Sequence, residues 1–571
     1  VQVDIRQRPK MISAGTQCNR DLEEFELSRK PKLTQRSYMI DDVDYTAPIY
    51  TDERNKDSDY EPNLSDDSLS DTYSEENSQS EGTGVWNERK FIVFESNLLE
   101  LFRYCSSCSS VTLFAVKKIL GSLVQVEQIC GSCGHHRIWN SQPMTGSIPS
   151  GNLLLSAAIL FTGLLPSKAL RFLEHLHIQT ITANTFFQHQ KHYLHPSVCN
   201  VWKNFQDNYF RKLAESDRAL TVGGDGRADT PGHSAKFGSY ALLDMDLSLV
   251  INIELVQSNE VKSSYHMEKE GFIRSTNHIQ ERGIKIKEII TDRHVQIVKN
   301  IREEMPETVH HFDVWHVAKG LKKKLTAMSK EKGCEQLQEW IRSICNHLYW
   351  SAASTPDGNG RLMLEKWQSF ANHVQNIHEH DGELYDTCPH GPLEGIERRK
   401  KWLIPGSKVA EKFSDLVFSN QMKKDVPKLS PGSQTAALEG FHAVVNHFAP
   451  KMIGFSYHGM LSRLILAALH FNENGMREQA TTKDGKKRFD IVFPKFKRGE
   501  YTVRKVKVEC TYDYVKKLMS SVEERASQFS MNSSVVVQRQ PAPPPLCSVY
   551  HHQVSRFNQQ NFGDDDSSAC C

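Results

Sequence analysis

The sequence predicts an α/β fold in which a mixed sheet is interrupted by a large all-helical insertion. Three observations carry this. Between Ala219 and Phe312, short runs rich in Val, Ile and Leu alternate with stretches of helical periodicity. Residues 314–432 then keep a helical pattern without any strand signal, and hold Trp340, Trp350, Trp367 and Trp402. From Ser433 two long helical patterns follow, closing with an alternating basic stretch. Strands mixed with helices imply a layered sheet, and so long a strandless block inside them implies an insert.

In chain order, residues 1–90 form an acidic arm. Asp41 to Glu88 carries fifteen acidic residues against Arg54 and Lys56, and Ser65–Asp71 is almost wholly Ser and Asp. Such a stretch buries too little apolar surface to offset its ordering entropy, so it is predicted disordered. Residues 91–145 contain two Cys-x-x-Cys pairs. Residues 146–217 read as helices at Leu153–Thr162, Ser167–His175 and Thr182–Tyr193. They suit either a helix-turn-helix-like unit or a helical spacer packed on its neighbour. Residues 218–318 predict strands at Ala219–Asp225, Gly238–Met245 and Leu247–Gln257, and a helix at Val261–Arg282. A strand at Ile286–Thr291, a helix at Val295–Glu304 and a strand at Thr308–Phe312 follow. The insertion occupies 319–432. Residues 433–530 then give a helix from Ser433, another at Met452–Asn474, a basic hairpin at Arg488–Val508 and a last helix to about Ala526. Residues 531–571 hold a Pro-Ala-Pro-Pro-Pro run with Gln, Asn and Asp tracts, and are predicted disordered.

Composition narrows the function classes. Hydrophobic content is 39% and mean hydropathy −0.51. The longest apolar run, Leu153–Leu165, is broken by Ser, Thr and Gly and falls short of the ~18 residues of a membrane span. Thirteen cysteines, four in metal-type pairs, suit a reducing compartment. The net charge of +1 hides a segregation: the middle of the chain carries about ten more basic than acidic side chains. A basic body with an acidic arm fits a polyanion-binding protein.

Cys105-x-x-Cys108 and Cys130-x-x-Cys133 are separated by 21 residues. Four thiolates in two tight pairs make a closed tetrahedral Zn²⁺ site, which is structural because no position is left for substrate. The intervening Val-Thr-Leu-Phe-Ala-Val and Leu-Val-Gln-Val-Glu-Gln-Ile segments suit the hairpin of a zinc ribbon, with His135 and His136 as bystanders.

Three acidic residues stand where metal-binding carboxylates belong. Asp225 ends an apolar run between Gly224 and Gly226, Asp292 ends Ile-Lys-Glu-Ile-Ile-Thr, and Glu439 opens a helix in Leu-Glu-Gly-Phe-His. An aspartate after a strand also caps turns, and Asp292 is placed as a helix N-cap. As a pair at the ends of strands of one sheet, however, they lie where ligands collect. Convergent carboxylates take Mg²⁺ or Mn²⁺. Glu394, in a similar Pro-Leu-Glu-Gly context, is the alternative third acid, with Glu439 favoured by its more continuous helical pattern.

Residues from about 100 to 525 resemble a eukaryotic cut-and-paste DNA transposase with a ribonuclease-H-like core. The matching stretches are Gly-Asp225-Gly-Arg, Thr-Asp292-Arg-His, Asp313-Val-Trp-His316 and Leu-Glu439-Gly-Phe-His. The resemblance is to the Kolobok and P-element-like groups. Only Cys18 precedes the first knuckle, so the THAP zinc module that Kolobok-type transposases often carry is not among these residues. The resemblance implies that Asp225, Asp292 and Glu439 bind two Mg²⁺ (or Mn²⁺) ions, with Asp313 and His316 as the Asp-x-x-His element. It further implies hydrolysis of a phosphodiester followed by strand transfer, DNA ends and target DNA as partners, a homodimer or larger assembly pairing two ends, and a nuclear location. A catalytically silent DNA-binding derivative and a nuclease of the same fold without strand transfer are the rival readings. Lys319, Lys322, Lys323 and Lys324, and the run Arg398-Arg399-Lys400-Lys401, are candidate phosphate contacts, with Trp402 a candidate base-stacking platform.

Overall fold

The computed structural model describes residues 84–216, 218–231, 234–390, 402–432, 436–493, 499–531 and 542–546. The chain divides into units 1–52 and 53–571, and every described residue lies in the second. Residues 1–83 of the acidic arm and most of the tail lie outside the described residues. So do Glu394, Arg398, Arg399 and Lys400. The end of the arm is ordered, with a 3-10 turn at Val85–Asn87 and the Trp86 N–H donating to Glu523 Oε1 at 2.7 Å.

After the short helix α1 (Glu95–Glu100), strands β1 (Leu113–Leu120), β2 (Leu123–Ile129) and β3 (His136–Asn140) form an antiparallel sheet in the order β1-β2-β3. Gly121, at φ 59°, turns β1 into β2. A two-stranded element, β4 (Met144–Thr145) with β5 (Ile148–Pro149), leads into helices α2 (Ser150–Phe161), α3 (Pro166–His175) and α4 (Ala183–His189). A π-helical turn at Gln190–Leu194 joins α4 to α5 (His195–Glu215), which opens with Pro196 in its first turn.

The central sheet holds β6 (Leu220–Ala228), β7 (Phe237–Asp244), β8 (Leu249–Gln257), β9 (Ile286–Thr291) and β10 (Val309–Phe312) in the order β10-β9-β6-β7-β8. β6, β7 and β8 run antiparallel, while β9 and β10 are parallel to β6. It is thus a mixed sheet. Helices α6 (Ser264–Gln280) and α7 (Val295–Glu304) make the crossovers. The predicted strands and helices from 219 to 312 appear with small changes of boundary. The exception that matters is β6, which continues three residues past Asp225.

Alternation along β7 sorts the two faces: Tyr240 and Leu242 pack with Phe272, Ile279, Ile297 and Ile301 of α6 and α7. Ala241 and Leu243 face the other way, onto α13 (Ala436–Phe448), α14 (Tyr457–Asn474) and α15 (Asp513–Met531). Leu153, Leu160, Val198 and Trp202 of α2 and α5 belong to that same core. Residues of the 146–217 segment therefore share the main core, while Ile159, Ile181 and Phe186 form a small separate cluster. Arg463 of α14 is 1% exposed and donates to the Gly163, Leu164 and Phe448 carbonyls at 2.7–2.8 Å. These are C-terminal carbonyls after α2 and α13, where a cation is favoured.

The insertion is a helical body with its own core. Helices α8 (Val314–Met328), α9 (Leu337–Ala353), α10 (Gly360–His373), α11 (Lys408–Val417) and α12 (Asn420–Asp425) enclose Leu325, Leu337, Ile344, Trp367 and Phe413. Its ends meet: Leu429 bridges Phe312 in parallel, and the Ser430 N–H donates to the Phe312 carbonyl at 3.0 Å. The predicted basic hairpin is present as β11 (Phe489–Val492) paired antiparallel with β12 (Thr502–Lys505). Among the described residues no helix is long and apolar enough to cross a membrane.

Candidate active site and metal centres

The sheet register builds the site. Gly223 of β6 lies level with Ile290 of β9, and Thr291 of β9 with Phe312 of β10. Continued beyond the last paired residues, that register sets Asp225 opposite Asp292 and Asp292 opposite Asp313. β6 outlasts β9, so Asp225 sits within a strand whose β9 side is free of pairing. It remains paired on its other side with Ala241. The sequence placed it at a strand end because glycines on both sides read as a stop.

Helix α13 supplies the third acid. Leu438, Phe441, Val444, Val445 and Phe448 bury its apolar side. Glu439, His442 and Asn446, spaced three and four apart, form a stripe of their own. That stripe faces β6: His442 Nδ1 is 3.5 Å from Asp225 Oδ2, and Asn446 Oδ1 accepts from Arg227 at 2.8 Å. Arg227 also donates to the Ala449 carbonyl at 2.8 Å, which fixes the end of α13 against the strand. Gly223 allows the approach, since a Cβ there would meet Met245 Sδ at 2.4 Å and Leu438 Cδ1 at 3.3 Å.

One donor atom each from Asp225, His316 and Glu439 all lie within 4.8 Å of one another. Residues from three distant segments thus meet at one point. Asp292 is not one of these three, although its charge acts on Asp225 and His316. Its Oδ1 accepts the His294 N–H at 2.9 Å in a turn preceding α7, whose N-cap is His294 and not Asp292. Asp313 is 1% exposed and caps α8, accepting from the Trp315 N–H at 3.2 Å. His316 Nδ1 lies 2.8 Å from Asp313 Oδ2. A carboxylate only accepts, so the ring donates there and its orientation is set.

Burial and like charge shape the electrostatics where these side chains meet. Burial lifts Asp225 to about 7; His316 opposes this, while the charges of Asp292 and Glu439 add to it. Burial by itself would depress His316, but its bond to Asp313 and the charges of Asp225, Asp313 and Asp292 hold it above its ordinary value. His442 is pushed down to about 3 by burial, with Arg227, Lys451 and His316 adding to it. Its contact with Asp225 therefore involves a neutral ring.

A fourth carboxylate escaped the sequence reading. Glu268 of α6 passes so close to β6 that a Cβ on Gly226 would meet its Cγ at 2.5 Å. Burial lifts Glu268 to about 8, and the charges of Asp292 and Asp225 add to the rise. In sequence it is one charged residue of an amphipathic helix, indistinguishable from a solvated face. The glycine after Asp225 was the available signal.

The first metal group holds Cys105, Cys108, Cys130 and Cys133, whose sulfurs all lie within 4.8 Å of one another. The two loops share one conformation. Ser109 N–H bonds the Cys105 carbonyl and Gly134 N–H the Cys130 carbonyl, at 2.9 and 3.0 Å, with φ of 58° and 70°. The residues fit a structural Zn²⁺. Hydrogen bonds from the Ser110 side chain and N–H draw Cys108 down to about 6, while Cys133, despite a hydrogen bond from the His135 N–H, is pushed up by the neighbouring sulfurs and by burial. His136 is turned to Glu127 Oε1, 2.9 Å away. A second group, His373, His378, Cys388 and His390, was not singled out in the sequence. His373-x4-His378 and Cys388-Pro-His390 have metal-type spacing, and this was the signal.

Lys319, Lys322, Lys323 and Lys324 are exposed on α8. Lys319 and Lys323 follow His316 by three and seven residues along one face, and Lys319 Nζ rests 4.2 Å from the Trp315 ring centroid. Trp402 is half-buried and stacked on Trp340 with centroids 5.9 Å apart, so one of its faces is taken by the insertion core.

No curated protein matches the chain. The transposase class that the motifs pointed to is supported by a family-model match, while the Kolobok and P-element-like grouping is not among what matches. Residues 256–391, from the end of β8 to beyond α10, match the Mutator-like transposase family, a segment that contains Glu268, Asp292, Asp313, His316 and the second candidate metal group.

Proposed function

We propose that the protein is a DNA transposase, or a derivative of one, with a ribonuclease-H-like core that hydrolyses phosphodiesters and transfers strands at an Asp225/Asp292/Glu439 centre. The single observation that carries this reading is the meeting of Asp225, His316 and Glu439 donor atoms within 4.8 Å, with the charge of Asp292 acting on Asp225. The Mutator-like match supports the transposase class and, with it, DNA as the partner.

When bound, a pair of Mg²⁺ or Mn²⁺ ions supplies an activated water and stabilises the departing 3′ oxygen. Asp225, Asp292 and Glu439 are the oxygen donors that hold such ions, with Glu268 in reserve on the far side of β6. His316, fixed by Asp313, orients a phosphate oxygen or a ligating carboxylate. Lys319, Lys322, Lys323 and Lys324 hold the DNA backbone along α8. A homodimer pairing two ends, in the nucleus, completes the reading.

Asp225→Asn and Glu439→Gln are each expected to remove Mg²⁺-dependent nicking by at least a hundredfold while DNA affinity stays within about twofold. Either variant cleaving at the wild-type rate defeats the assignment. Hydrolysis without joining of the freed 3′ end would select the nuclease reading. DNA binding with no cleavage by the unaltered chain would select a silent derivative.

A further inference from the structure

We propose that His373, His378, Cys388 and His390 form a second structural Zn²⁺ site, set in the helical insertion and independent of the catalytic reading. The elements converge for local reasons. Helix α10 ends at His373, and Asn376 at φ 63° reverses the chain. The Ile377 N–H returns to the Asn372 carbonyl and the Asn376 N–H to the His373 carbonyl, both at 3.1 Å. This left-handed helix cap brings His378 back beside His373. A short hairpin follows: Glu379 bridges Thr387, and the Cys388 N–H donates to the His378 carbonyl at 3.0 Å. Cys388 and His390 therefore arrive at the same point.

The three imidazoles surround that point edge to face. Centroids of His373 and His378 are 5.1 Å apart at 74°, His373 and His390 5.4 Å at 82°, and His378 and His390 4.8 Å at 78°. Cys388 Sγ lies 3.5 Å from His373 Nδ1. The N–S edge of a tetrahedron with metal distances of roughly 2.0 and 2.3 Å is about 3.5 Å. All four donor atoms fall within 4.8 Å of one another. One S–H···N bond accounts for the Cys388–His373 pair, but not for four donors about one centre.

The outer contacts suit ligation. His378 Nε2 lies 3.1 Å from Asn376 Oδ1, and a ring proton donated there leaves Nδ1 as the electron-pair donor. His380 Nε2 lies 3.2 Å from Cys388 Sγ, within reach for a ring N–H to donate to the sulfur. Trp402 shields the group, 5.8 Å from His373 and 5.7 Å from His378. Three nitrogens and one thiolate select Zn²⁺ over Mg²⁺ or Ca²⁺. Four protein donors leave no open position, which makes the site structural.

The test is metal content of the purified full chain after dialysis, with Zn²⁺ and then Co²⁺ as probes. Two zinc ions per chain are expected, one in each group. Cys105→Ser/Cys130→Ser is expected to retain one, and its Co²⁺ form to show four-coordinate d–d absorption with a weak sulfur charge-transfer band. Cys388→Ala/His390→Ala is expected to retain the ribbon ion alone, with the stronger charge transfer of four thiolates. X-ray absorption of the unaltered zinc protein reads the same point without any variant: a mixed sulfur and nitrogen shell is expected. A single zinc per unaltered chain, an all-sulfur shell, or two ions retained by the Cys388/His390 variant overturns the proposal.

Discussion

Asp225 and Glu268 hold their protons far more tightly in the folded chain than ordinary carboxylates do, at about 7 and about 8. Between the ordinary carboxylate range and those values the folded state carries the extra protons, so stability falls as pH rises. Buried histidines act in the opposite sense: His442 at about 3, and His347 and His470 at about 4, favour folding as pH climbs. Their influence ends near the ordinary histidine value of about 6.5. Between pH 6.5 and 8, without Mg²⁺ or Mn²⁺, the unfolding free energy is therefore expected to fall by on the order of 1 kcal/mol per pH unit more steeply in the unaltered chain than in Glu268→Gln, the opposing titration of Cys108 being common to both. Denaturant titration of the two proteins across the window measures it, and parallel pH profiles contradict it. At this scale the flanking residues pointed to Asp225 and Glu439, whose donor atoms the fold brings within 4.8 Å, although Asp225 stands inside its strand and not at its end. Glu268 and His442 owe their place to sheet register and to the docking of α13, which no neighbouring residue reveals.

Helix α14 is closed around Arg463, whose guanidinium occupies carbonyls after two other helices. Burial lowers Arg463 to about 10, still charged at neutral pH. Arg463→Met leaves those carbonyls without their donor and should cost about 3 kcal/mol or more, visible as a lower denaturant midpoint. A loss under 1 kcal/mol would mean that water or a rearrangement replaces it. Helix α8 carries a different expectation. Lys319→Ala and Lys323→Ala should each reduce the slope of log binding constant against log salt by about 1, with nicking geometry untouched. An unchanged slope for both removes α8 from the DNA path. Most elements were legible: β9 and α7 appear at their predicted limits because their periodicity is uninterrupted. Helix α5 was not among the three helices named for 146–217, the last of which ends at Tyr193, just before His195-Pro196. In the structure Pro196 lies in the first turn of a 21-residue helix, a position where it is tolerated.

The whole described molecule holds a sheet body with cores on both faces and a helical insertion with a core of its own. Two cooperative transitions are expected on heating, and Trp367→Ala, which empties a fully buried site in the insertion, should lower the insertion's transition alone, by roughly 3–5 kcal/mol in stability. A single transition moved as a whole would show that the two bodies unfold together. The layered α/β class was readable from strand and helix periods, because each buried face imposes its own repeat. Packing of α2 and α5 into the sheet body was not, since an amphipathic helix does not name the surface it covers.

Phe312 and Leu429 lie side by side, and that adjacency bears on the order of events during folding. Glu439 follows Asp292 by 147 residues along the chain. If the helices between them collapse first, the span that still has to close shrinks to about thirty residues. Closure entropy scales with the logarithm of length, so this saves about 1.4 kcal/mol in bringing the third acid home. A refolding route that assembles the excursion early and the carboxylate cluster late is the faster one for this topology.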